Sequence, residues 1–155
     1  MELKQALQQL EQLQKKLYAI HYACSAMNLD ADTVAPKNTS EGRGVALGVL
    51  AGEEQQLMIC PETRALLDEL DGKKDELDLL HRREVEELRR SCDQLTRIPA
   101  EEYIAYSELV NKAGDVWHKA KEKDDFAMFC PLLQQLVEYN RKFASTAPRP
   151  LMTHC

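Results

Sequence analysis

What the chain lacks narrows its function first. No apolar run approaches the ~20 residues that cross a bilayer, and the N-terminus carries no signal-type apolar segment. Stretches that alternate apolar and polar residues are missing too, so no strand is expected and the fold class is all-α. Disulfide and zinc-knuckle spacings are absent: the five cysteines, at 24, 60, 92, 130 and 155, are odd in number, scattered and without a C-x-x-C. That pattern fits free thiols in a reducing cytoplasm. Positive charge is in deficit, with 20 Lys and Arg against 26 Asp and Glu and a net charge of −6. Nucleic acid and an anionic membrane are therefore excluded as main partners. Glycine and proline are scarce, at six each in 155 residues, so few positions interrupt a helix.

What is present is helical period. Leu3, Ala6, Leu10, Leu13, Leu17, Ile20, Cys24 and Met27 alternate steps of three and four, a seam of about 25 residues or roughly 38 Å. Leu7 widens it, as burial in a bundle requires, and the Leu3–Met27 seam is also a candidate docking surface for a protein partner. From Asn28 to Ser40 the period breaks at loop and cap residues. Ser40 is placed to cap a second helix through Val45, Leu47, Val49, Leu50 and Leu57. Gly42, Gly44, Gly48 and Gly52 sit inside it. Each costs ~1 kcal/mol of helix propensity against alanine, so this helix either packs very closely on a neighbour or frays.

Pro61 opens a short helix that Gly72 closes. The next runs from about Lys73 to Leu95, with HRREVEELRR pairing opposite charges along its surface. Pro99 starts a helix carrying Tyr103, Tyr106, Val110, Ala113, Trp117 and Ala120 on one stripe. After the polar KEKDD, Asp124 or Asp125 can cap a last helix through Phe126, Phe129, Leu132, Leu133, Leu136, Tyr139 and Phe143, ending near Ala144. Trp117, Phe126 and Phe129 are expected to pack together at the corner. The architecture predicted is an antiparallel helical bundle of five longer helices and one short one. It forms a single domain over residues 1–144, with an irregular tail at 145–155.

The chemistry is sparse. No H-E-x-x-H, G-x-S-x-G or P-loop occurs. The histidines lie at 21, 81, 118 and 154, and two fall in Asp-x-x-His pairs, Asp78–His81 and Asp115–His118. Di-metal bundles use such i,i+3 pairs on facing helices. Asp78 and His81 share a line with Val85, Leu88, Cys92 and Leu95 and can face inward. Asp115 and His118 fall off their helix's stripe and should face outward, and pairs on different faces cannot share metal. Asp30 and Asp32 lack the glycine and distal glutamate of a calcium loop. Cys24, Cys92 and Cys130 lie on apolar stripes as small core residues. Cys60 has no base marked beside it. No catalytic, cofactor-binding or metal-ligating residue is assigned.

The order of several short motifs carries more. Trp117, seven residues, then Asp125-Phe126-x-x-Phe129-x-Pro131-x-Leu133 resembles the N-terminal region of the carboxypeptidase Taq family of zinc metallocarboxypeptidases. Thr96-Arg97-Ile98-Pro99-Ala100-Glu101 is similar to that family's T-R-[VI]-P-x-E. Leu29-Asp30-Ala31-Asp32-Thr33-Val34-Ala35-Pro36 resembles its W-D-x-E-T-x-M-P, with Leu29 for Trp and Asp32 for Glu. Ser40-Glu41-Gly42-Arg43 resembles its A-E-A-R. Pro61-Glu62 with Leu66-Leu67-Asp68-Glu69-Leu70 resembles its P-E…L-L-E-E-L.

The resemblance implies an all-helical, cytoplasmic, usually dimeric enzyme that removes C-terminal residues from peptides. Its zinc is held by H-E-x-x-H and a later Glu, motifs that lie beyond the region matched. The N-terminal helices of such enzymes build one wall over the substrate groove. No zinc ligand or catalytic residue carries over, and the isolated chain is expected to be a truncated N-terminal domain without catalysis. A dimer covering its apolar stripes is expected. Pro150–Cys155 can be back-translated so that a shifted frame reads Pro-Tyr-Asp-Ala-Leu, the family's next segment, which makes a frameshifted remnant one expectation. The other is a helical interaction module that pairs with a full-length paralogue through Leu3–Met27.

Overall fold

The computed structural model describes residues 2–36 and 38–146. Six helices follow in order: α1 (Leu3–Thr33), α2 (Ser40–Ile59), α3 (Pro61–Gly72), α4 (Leu79–Leu95), α5 (Ala100–Glu122) and α6 (Phe126–Thr146). Among the described residues there is no strand. The irregular tail expected at 145–155 starts later than that: α6 runs on to Thr146, and residues 147–155 lie outside those described.

One core sits at the α1–α4 end. Ala6, Leu10, Leu13 and Leu17 of α1 meet Met58 of α2, Leu66, Leu67 and Leu70 of α3, and Val85 and Cys92 of α4. These are the positions that helical period places inward on each segment. The first half of the Leu3–Met27 seam is thus taken up inside the chain. Gln55, the one large polar side chain fully buried among the described residues, donates from Nε2 to the carbonyls of Leu95 at 3.1 Å and Ile98 at 2.7 Å. It ties α2 to the turn between α4 and α5, sharing the Leu95 carbonyl with the Ile98 N–H and meeting the Ile98 carbonyl.

Helix α2 is central, and its closest neighbour is α5. The glycines make that approach possible. A Cβ on Gly48 would lie 3.0 Å from Glu108 Oε1 and 3.3 Å from Ile104 Cγ2, and one on Gly52 would lie 3.1 Å from Ile104 Cδ1. Of the two outcomes open to α2, close packing is the one realised. Gly42 differs: nothing lies within 4 Å of its Cβ position. Gly48→Leu is expected to cost ~1–3 kcal/mol by wedging α2 off α5, while Gly42→Ala adds up to ~1 kcal/mol. Urea titrations of the two variants should move in opposite directions.

Several local expectations need correction. Helix α1 does not stop at Met27 but runs to Thr33, because Ala31 continues the Ile20–Cys24–Met27 line at helical spacing. Ser40 is the first residue of α2 and caps nothing. Its carbonyl accepts from Asn111 Nδ2 at 3.0 Å, so α5 anchors the start of α2. Helix α4 begins at Leu79 rather than Lys73, where Asp78 caps it by accepting the His81 N–H at 2.9 Å. Lys73 to Leu77 form turns that send Leu77 into the core. Asp125 does cap α6, accepting from Met128 N at 3.2 Å.

The aromatic corner also differs from expectation. Phe126 is 65% exposed and Trp117 43%, and Trp117 meets the His118 ring edge-on and lies under the Lys121 ammonium instead. Phe126 heads a second line on α6, offset from the Phe129–Leu132–Leu136–Tyr139–Phe143 line that meets α5. The second line turns it away from the junction. Cys130 lies on it too, and is exposed rather than a core residue.

Candidate functional site

The polar groups that fold brings together lie where α1, α2 and α5 converge. Arg43, on α2, is almost fully enclosed, its side chain only 10% exposed. Its Nε donates to Asn111 Oδ1 at 2.9 Å and its Nη2 to Asp115 Oδ1 at 2.9 Å. Both acceptors are on α5 one helical turn apart, so the planar guanidinium fork spans them. Asp115 therefore faces α2, not solvent as its offset from the apolar stripe suggested. The α5 stripe it was measured against is only one of that helix's packed surfaces: Tyr106 on it meets α6, while Asn111 and Asp115 meet α2. His118 does look outward, with Nε2 3.6 Å from Asp32 Oδ1 at the end of α1.

A cleft of about 520 Å³ opens beside this cluster, lined by Cys24, Glu54, Tyr103, Tyr106 and Val110 among others. His21 of α1 reaches Glu54 at 2.8 Å. Burial, with Glu54 and Cys24 beside it, pushes the Tyr103 phenol up to about 12. It is a neutral hydroxyl at ordinary pH and offers no base. Burial, then Glu54, raises the Cys24 thiol as well, so it stays protonated and a poor nucleophile. Cys60 is engaged by the Leu57 carbonyl and Thr63 Oγ1, each at 3.3 Å. Cys92 is buried in the core, and Cys155 and His154 lie outside the described residues. The cluster can bind helices together, and it holds no nucleophile with an adjacent general base.

The two Asp-x-x-His pairs stay apart. Asp78 does not point inward: it is the exposed cap of α4, and its Oδ2 meets His81 Nδ1 at 2.9 Å. His81 lies beside Leu3, Leu7 and Gln14 at one end of α1, and His118 beside Asp32 at the other. At 1.5 Å per residue that separates them by roughly 30 Å. No three His, Cys, Asp or Glu side chains among the described residues are grouped to hold a metal ion. A hydrolytic zinc site needs about three protein ligands and an open position, and the described residues do not fit one.

The Asp78 cap has a pH signature. The His81 backbone N–H, then the His81 ring, hold its carboxyl below the usual range. Its support of α4 is complete above the unfolded carboxyl's value of about 4 and is lost as pH falls through the lower folded value. Amide protection in the first turn of α4 should drop over that acid window. Asp78→Asn, which still caps but cannot titrate, should flatten the dependence.

Sequence reading missed the Arg43 cluster and Gln55. Gln55 had a usable signal, since it falls on the Leu47–Ala51–Met58 line of buried positions. Arg43 had none, as its partners lie about seventy residues downstream.

The architecture, six helices with short connections and no strand among the described residues, defines an all-α helical domain. Residues 9–151 match the model of the carboxypeptidase Taq (M32) metallopeptidases, and the chain belongs to that family. It is 35% identical over 125 residues to Carboxypeptidase 1 of Bacillus subtilis (strain 168), covering 79% of this chain and 25% of that one. It is 30% identical over 130 residues to Thermostable carboxypeptidase 1 of Pyrococcus furiosus, covering 84% and 26%. The fold superimposes on the BsuCP crystal structure with a TM-score of 0.89 at 30% identity, over 94% of this chain and 29% of that one. The chain thus spans about a quarter of the length of the curated relatives it matches. No described helix is long and apolar enough to cross a membrane.

Proposed function

We propose that this chain is the helical N-terminal region of a zinc metallocarboxypeptidase and does not hydrolyse peptides by itself. Its part is to form a wall of the peptide groove, with zinc and its ligands belonging to the larger portion of the fold. The observation that carries this reading is the close superposition of almost the whole chain on less than a third of the BsuCP structure. The helices keep the relative's arrangement, and the polar cluster inside them links helices to one another. The scattered cysteines support a cytoplasmic setting.

The test is a chimera. Residues 9–151 replace the matching stretch of the B. subtilis Carboxypeptidase 1, and release of C-terminal residues from a peptide is followed by mass spectrometry. Zinc-dependent release by the chimera is expected. A folded chimera without it overturns the reading.

A further inference from the structure

Helix α6 carries two apolar lines. Phe129, Leu132, Leu136, Tyr139 and Phe143 face α5, where the Tyr106 ring meets Tyr139 at a tilt and Phe143 edge-on. Phe126, Cys130, Leu133 and Val137 form a second line with the same four–three–four spacing, rotated by nearly a third of a turn. It is left largely uncovered: Leu133 and Val137 are 36% and 40% exposed, Phe126 is 65% exposed, and Cys130 is exposed too. Asn140 extends the line and donates to the Tyr106 hydroxyl at 3.3 Å, joining it to the side of α5 that exposes Val110 and Trp117. No charged residue falls on the α6 line from Phe126 to Asn140.

We propose that this α6–α5 face is the seat of an uncharged helical surface from the rest of a carboxypeptidase fold, the portion of the relatives that this chain does not span. The proposal rests on the family reading above. A structure more than three times as long holds the same helices in the same arrangement. The α6 line has the regular spacing of a helix–helix seam and carries no charged residue of its own.

The B. subtilis chimera and the isolated chain test it together. Cys130 is alkylated with iodoacetamide and read by peptide mass spectrometry. Modification is expected to slow more than ~10-fold in the chimera relative to the isolated chain. Leu133→Lys with Val137→Glu should lower the melting temperature of the chimera by several degrees and leave that of the isolated chain nearly unchanged. Equal Cys130 reactivity in both overturns the proposal, as does a chimera that fails to fold while the isolated chain is stable. Concentration-dependent Cys130 protection in the isolated chain, with a dimer by light scattering, assigns the face to a second copy and overturns it too. An active chimera with reactive Cys130 keeps the proposed function and removes this inference. A folded, inactive chimera with protected Cys130 does the reverse.

Discussion

Replacing Leu70 with alanine is expected to destabilise the chain by about 3–5 kcal/mol, near the upper end for a leucine in a core. Leu70 has no exposed surface and sits where α1, α3 and α4 converge. Two features keep the cavity from collapsing. Leu10 and Leu67 on either side are themselves fully buried, and α3 is only 12 residues long, pinned by Pro61 and by the turns that follow Gly72. At roughly 2–4 °C per kcal/mol for a chain of this size, the melting temperature should fall by about 10 °C. Val137→Ala, on the open face of α6, should cost under ~0.5 kcal/mol. Thermal unfolding of the two variants checks the contrast. A small effect at Leu70 would mean that the α1–α4 core is not what holds the chain together.

Arg43→Met is expected to cost about 3 kcal/mol. The arginine is enclosed between α2 and α5, and its loss strands the Asp115 carboxylate and Asn111 Oδ1 against an apolar stem. Most of that cost is the penalty of a charge left without its partner, not the net worth of the pair. Removing both should therefore cost less than the sum. Arg43→Met combined with Asp115→Leu should regain at least ~1 kcal/mol relative to additivity. Urea titration of the single and double variants measures it. Additive losses would show that the guanidinium works by packing alone.

The two experiments bear on what could be read from residues alone. Six helices, their apolar lines and the α1–α4 core follow from spacing, because a buried stripe must recur every three or four residues wherever it lies in the chain. The glycines of α2 could be read only as a choice between close approach and fraying, since which one holds depends on Ile104 and Glu108 of another helix. The Arg43 bridge was invisible for the same reason. A charge pair between distant segments leaves no local period, and Asp115 reads as solvent-facing only because its helix packs on two neighbours, α2 and α6, rather than one. Asp78 reads as an inward position on a line, yet a carboxylate followed three residues later by a free backbone N–H is equally a cap. The second line on α6 was present in the sequence, mixed with the first. Phe126 and Phe129 are three apart and look like one stripe, and only the packing of α5 shows that they belong to two.

Those two lines tie the account together. A helix with one apolar line completes a small bundle, while a helix with two sits between layers. Helix α6 is the outermost described element and has a neighbour on one side only. The rest of the molecule is built around internal polar bridges and a leucine core, with no group poised for hydrolysis among the described residues. The second line suits the region of a larger enzyme proposed above.

The most direct measurement is a peptidase assay on the 155-residue chain alone. The purified protein is incubated with zinc and an unblocked peptide, and loss of the C-terminal residue is followed by mass spectrometry. The account predicts no release above the zinc-only control. Release that depends on the protein and on zinc, and that a chelator abolishes, would contradict it, because the chain would then carry the hydrolytic centre itself.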